Sequence, residues 1–131
     1  MTVSKNKKIV ICDDDQDSAL ATSAMLTAEG YQVDVVDGHD ALEALVKRYV
    51  PDLLILDIEM PDMNGFEILE ELHETGVRVP VFMLTGHDNF LFRRYSPVAG
   101  AIEFITKPID NAILIDKIQS TLAGSETSGS R

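Results

Sequence analysis

Cysteine is nearly absent from this 131-residue chain: the single copy, Cys12, excludes an internal disulfide framework and a cysteine zinc site. Its place inside an apolar run reads as a small buried hydrophobe. Basic residues are scarce too, with 11 Lys and Arg against 22 Asp and Glu and a formal net charge of −11. Sequence-independent nucleic-acid binding needs a basic face that displaces counterions, so this balance argues against it, and it disfavours anionic membranes likewise. Long hydrophobic runs are missing. The apolar stretch after "MTVSKNKK" is too short for a signal peptide or a membrane span. A reducing, cytoplasmic setting is the expectation. No spacing among His39, His73 and His87 suits a histidine metal site, and all three are expected on the surface. There is no internal repeat and no length for a second domain.

What is present is a 45% hydrophobic, 25% charged chain, enough for one compact domain with a sizeable core. Apolar runs of strand length alternate with longer amphipathic stretches, and Gly or Pro marks many of the joints. The expected strands are Lys8–Cys12, Gln32–Val36, Asp52–Leu56, Val79–Leu84 and Ile102–Ile105. Several are apolar on both faces, as in a parallel sheet covered by helices on both sides. Helical stripes are expected at Ala21, Thr22, Met25 and Leu26; at Ala41, Ala44 and Leu45; at Gly65, Ile68, Leu69 and Leu72; and at Leu114, Ile118 and Leu122. The fold class is therefore α/β, a doubly wound sandwich of five parallel strands. The domain is expected over residues 7–123, after an N-terminal extension at 1–6; the tail "GSETSGSR", 124–131, has no core-forming residues and reads as a linker or disordered end.

In such a sheet, ligand chemistry belongs at the carboxyl ends of the strands. There the chain places Asp13 and Asp14 after the first strand, Asp57 after the third, Thr85 after the fourth and Lys107 after the fifth. Carboxylates gathered in one pocket about 5 Å apart repel by roughly 3 kcal/mol per pair at an effective dielectric near 20. A cation is required among them. Aspartates without histidine or cysteine are hard oxygen ligands suited to Mg²⁺. A carboxylate beside such a metal can attack phosphorus and form an acyl phosphate, which makes Asp57 the candidate phosphoacceptor. Lys107 would offer a second cation to the phosphoryl oxygens, Thr85 one hydroxyl hydrogen bond, and Gly86 space for the incoming group. Asp15 and Asp17 are expected to start a helix instead.

The segments "KIVICDDDQDS", "LLILDIEMPDMNGFEIL", "VFMLTG" and "GAIEFITKP" resemble the four signatures of the receiver domain of two-component response regulators, and the likeness extends from about Lys7 to Leu122. The resemblance implies a flavodoxin-like sheet with its strands in the order 2-1-3-4-5, and that Asp57 accepts a phosphoryl group from a histidine kinase or a histidine phosphotransfer protein. It implies that Asp14 and Asp57 ligate Mg²⁺ directly, with Mn²⁺ able to substitute, that Asp13 acts largely through water, and that Glu59 lends its backbone carbonyl. The Lys107–Pro108 bond would be cis, aiming the ammonium into the site. Thr85 and Phe104 would be the switch pair: the hydroxyl moves toward the phosphoryl group, and the ring follows into the space it leaves. The chemistry would be confined to self-phosphorylation and slow self-dephosphorylation. Output would pass to a downstream protein or domain through the face built by strand four, the helix after it, strand five and the last helix. The chain would act as a monomer or weak dimer.

Several positions set this chain apart from the family pattern. Glu59 and His87 border the path of hydrolytic water and are expected to set the phosphoryl lifetime. Pro97 falls where the family continues its fourth helix, so that helix is expected to end near Ser96 or to be distorted, an internal proline costing about 3 kcal/mol. Phe90, Phe92, Arg93, Arg94 and Tyr95 form a candidate partner surface, and Met60 and Met63 read as turn packing. Two other classes of function compete. A phosphorylation-independent receiver-like interaction module would normally lack one of the acids, the threonine or the lysine. An enzyme or cofactor binder on a similar fold fits less well: a haloacid-dehalogenase-type hydrolase wants Asp where Glu59 stands, a flavodoxin wants a hydroxyl- and glycine-rich loop where "DDDQDS" stands, and no Walker-type glycine loop occurs.

Overall fold

The computed structural model describes residues 7–38, 42, 47–48, 50–57, 65–74, 76, 79–86 and 101–129. Strand β1, Lys8–Cys12, leads to helix α1, Gln16–Ala28, then strand β2, Gln32–Val36, and strand β3, Leu53–Asp57. Helix α2, Gly65–Glu74, strand β4, Val81–Thr85, strand β5, Ala101–Thr106, and helix α3, Asn111–Gly129, complete the described elements. All four strand pairings are parallel, in the order β2-β1-β3-β4-β5. The expected sheet is therefore the observed one. The second expected helix lies mostly outside the described residues, although Leu42 is buried and its N–H donates to the Gly38 carbonyl.

Period-two alternation divides the core between the two faces of the sheet. Ile9, Ile11, Leu53, Ile55, Phe82, Leu84 and Ile105 pack with Ala19 and Leu26 of α1 and with Leu114, Ile118 and Leu122 of α3. Val10, Cys12, Leu54, Leu56, Val81 and Met83 pack with Leu42 and with Ile68, Leu69 and Leu72 of α2. Both faces of β3 and β4 are covered, which accounts for their unbroken apolar sequences.

α1 starts at Asp15, whose Oδ1 accepts from the Ser18 N–H at 3.2 Å, with Asp17 in the first turn. It ends in a Schellman motif: Gly30 at φ +103 donates to the Thr27 carbonyl, and Tyr31 donates to that of Leu26. Leu26 and Tyr31 are buried in the same cluster, the apolar contact that accompanies this cap. The apolar stripe differs from expectation at one place. Ala19, Thr22 and Leu26 are buried whereas Ala21 is exposed, because the helix begins early enough for Ala19 to face the sheet.

The limits of β3 and β4 differ from expectation in a way that matters for the site. Asp52 precedes β3 rather than opening it: its carboxylate accepts from the Lys8 N–H and its own N–H donates to the Lys8 carbonyl, both at 2.8 Å. Asp57 and Thr85 are the last residues of β3 and β4, within the strands rather than after them. α3 continues to Gly129, through part of the tail in which the sequence suggests a linker, and Leu114, Ile118 and Leu122 form its buried stripe. Propagating an existing helix costs little per residue, so a run without apolar residues can still continue it. No described helix is long and apolar enough to cross a membrane.

Candidate functional site

The alternation that builds the core also builds the site. Ile9 and Ile11 lead to Asp13, Leu53 and Ile55 lead to Asp57, and Ile105 leads to Lys107, so three charged residues continue one apolar face to the carboxyl edge. Lys107 Nζ lies 3.2 Å from Asp13 Oδ2 and 3.4 Å from Asp57 Oδ2. The other oxygen of Asp13 accepts from the Asp15 N–H at 3.0 Å. Carboxylate oxygens of Asp13, Asp14 and Asp57 all lie within 4.8 Å of one another. Asp13 and Asp57 are buried; Asp14 is exposed.

This donor set fits a hard divalent cation. Three carboxylates and one ammonium carry a formal excess of two negative charges, and the ligands are all oxygens. The exposed Asp14 gives an ion a route in from solvent. Burial works against the charged form of Lys107, but Asp57 and Asp13 outweigh it and hold the pKa above the usual lysine value.

Thr85 closes the site on the neighbouring strand. It is fully buried, and its carbonyl accepts from the Lys107 N–H at 2.7 Å, which ties the end of β4 to the lysine loop. The Lys107–Pro108 bond is cis. Met83 pairs with Phe104 and Thr85 with Thr106, so Thr85 and Phe104 are diagonal neighbours on one face of the sheet. Phe104 is half-buried against the cluster that contains Met83. His73 is exposed. Glu59, Met60, Met63, His39, His87, Pro97 and the Phe90–Tyr95 cluster lie outside the described residues.

Two features were not anticipated from the sequence. Asp13 is an ion-pair partner of Lys107 as well as a member of the acid cluster. Asp37, just after β2, adds a carboxylate near Cys12; the strand-end rule that located Asp57 could have located it too. Cys12 itself lies on the opposite face, fully buried, and its thiol is pushed up to about 12 by burial first and then by Asp13, Asp57, Asp37 and Asp14. Since the thiolate is the nucleophile, the native protein is expected to resist iodoacetamide near neutral pH and to react after unfolding. Mass spectrometry of alkylated samples checks this, and rapid native labelling would place Cys12 at an accessible surface.

Comparison with known proteins agrees with this geometry. Residues 9–119 match the response regulator receiver domain family. The chain is 36% identical over 116 residues to the response regulator PleD of Caulobacter vibrioides, covering 86% of this chain and 25% of that protein. It is 34% identical over 121 residues to the protein PilH of Pseudomonas aeruginosa, covering 89% of this chain and 98% of that protein. A CheY-like response regulator receiver domain protein from Methanospirillum hungatei superposes with a TM-score of 0.88 at 31% identity, covering 95% of this chain and 99% of that one. The chain spans about a quarter to a half of the length of most of the curated relatives it matches. A doubly wound sheet, an acid cluster at its carboxyl rim and a lysine bridging two of those acids thus coincide with a family match over most of the sequence: the chain belongs to the response regulator receiver domains of two-component systems, which act in phosphorylation-dependent signalling.

Proposed function

We propose that Asp57 accepts a phosphoryl group from the phosphohistidine of a histidine kinase or histidine phosphotransfer protein, in a reaction that requires Mg²⁺. The observation that carries this reading is the meeting of Asp13, Asp14, Asp57 and Lys107 at one strand edge. An Asp57 oxygen attacks phosphorus, the bond to the donor imidazole breaks, and its electron pair leaves on the ring nitrogen, which takes up a proton. Asp14 and Asp57 would hold the Mg²⁺ directly. Asp13, with its oxygens already engaged by Lys107 and the Asp15 N–H, would act through water. By resemblance to the family, the Glu59 backbone carbonyl would complete the set. When bound, the ion neutralises charge developing on the phosphoryl oxygens.

Lys107, cationic near neutral pH, then turns from the Asp57 carboxylate to the new phosphoryl group. Thr85 donates its hydroxyl to another phosphoryl oxygen, and Phe104 moves inward on the shared face. That rearrangement changes the surface of β4, the segment after it, β5 and α3, where a downstream protein or domain binds a monomer or weak dimer of this chain in the cytoplasm. Turnover is limited to self-phosphorylation and slow self-dephosphorylation, the latter set by Glu59 and His87. Incubation with acetyl phosphate tests the reading. Intact-mass analysis is expected to show one phosphoryl adduct with Mg²⁺ or Mn²⁺ and none in excess chelator; equal labelling under both conditions would overturn the metal requirement.

A further inference from the structure

We infer that the groove between α1 and the end of β2 is a docking site for a partner-protein segment that carries an apolar side chain flanked by lysine or arginine. The groove is a cavity of about 360 Å³ lined by Gln16, Leu20, Val35, Val36 and Asp37. Its floor is apolar, yet Leu20 is 58% exposed on a helix whose neighbouring stripe, Ala19, Thr22 and Leu26, is buried. One branched apolar side chain laid between Leu20 and Val35 would remove both from water.

Charge selects the occupant. Asp37 lines it and is exposed, the exposed Asp14, Asp15 and Asp17 crowd the start of α1, and no lysine or arginine among the described residues lines the groove. On a chain of net charge −11, a basic segment would gain from this rim whereas an acidic segment or an anionic lipid surface would be repelled. A neutral apolar ligand would fill the floor and leave the carboxylates unmatched. None of Asp57, Thr85, Phe104 and Lys107 lines the groove, so this inference stands apart from the phosphorylation reading.

Two peptides of equal positive charge test it against the isotope-labelled full chain, one with leucine between lysines and one with serine in place of each leucine. Mg²⁺ at saturating concentration and physiological salt keep the peptides from acting merely as counterions for the acid cluster. The leucine peptide is expected to give saturable amide shifts confined to Gln16, Leu20 and Val35–Asp37, and to bind roughly tenfold more tightly than the serine peptide. Leu20→Ser and Asp37→Asn, both at exposed positions, should each weaken it several-fold with an unchanged melting temperature. Equal binding of the two peptides, shifts spread over the acidic surface, shifts centred on the apolar Ile113 of α3, or indifference to both substitutions would overturn the proposal.

Discussion

Asp57→Asn is expected to abolish covalent phosphate incorporation from acetyl phosphate while leaving the chain folded. Asparagine nearly reproduces the shape of aspartate, which matters at a side chain that is 4% exposed and packed at the end of β3. The amide lacks an anionic oxygen and cannot form the acyl phosphate. Stability changes in two opposing directions. Lys107 keeps Asp13 but loses Asp57 as an ion-pair partner. The like-charge repulsion between the carboxylates, roughly 3 kcal/mol for a pair about 5 Å apart at an effective dielectric near 20, is relieved at the same time. Intact-mass analysis decides the question. An adduct retained by Asp57→Asn would move the acceptor to another residue.

Lys107→Ala is expected to be the most damaging substitution that leaves the acceptor in place. It strands Asp13 and Asp57, both buried, without the ammonium that bridges them. Removing one partner of a buried pair costs about 3–5 kcal/mol, and a loss nearer 2 kcal/mol is expected here because Lys107 is 23% exposed and water reaches it. Mg²⁺ should recover much of that loss by supplying the missing positive charge. The signalling defect should persist: labelling continues, but the amide shifts that beryllofluoride produces at Thr85 and Phe104 in the wild type fall by roughly tenfold, the loss of one charge-assisted contact to the phosphoryl mimic. A variant that stays unfolded in Mg²⁺ would make the lysine structural, and undiminished shifts would remove it from the switch.

The pH dependence of the same pair has a defined sign. Against the opposing effect of burial, Asp57 and Asp13 raise the folded-state pKa of Lys107. Its stabilising contribution is therefore complete below the unfolded lysine value of about 10.4 and disappears as pH rises through the folded value. Cys12 acts in the same direction, since its thiol is raised from 9.0 to about 12 and the unfolded chain ionises first. Urea melts should show stability falling above pH 9, with the lysine share of that fall missing in Lys107→Ala.

The sheet was legible because its signal is local and repeated. β1 and β2 have the bounds the apolar runs suggest, and Ile68, Leu69 and Leu72 or Leu114, Ile118 and Leu122 declare their helix faces by spacing alone. The acid cluster was legible through topology: once the strands are parallel and in this order, their carboxyl ends lie side by side. Long-range pairing was not. Nothing in the sequence near Asp13 says that one of its oxygens takes the Asp15 N–H and the other Lys107, ninety-four positions away. Strand limits shifted for a similar reason, because the reciprocal bonds between Asp52 and Lys8 set the start of β3 and hydrophobicity does not record them. The groove beside Leu20 was hidden as well, since an exposed leucine on a helix becomes a floor only when β2 is laid against it.

Thermal melts of the wild type and Asp14→Asn with and without millimolar Mg²⁺ test the central claim most directly, because an ion that binds only the folded acid cluster must stabilise it. The wild-type melting temperature is expected to rise by a few degrees, and the rise to vanish or shrink sharply in Asp14→Asn, whose carboxylate is exposed, so that its loss is expected to leave the fold intact. An unmoved wild-type melting temperature, or an equal rise in both proteins, would contradict the assignment of Asp13, Asp14 and Asp57 as a metal centre.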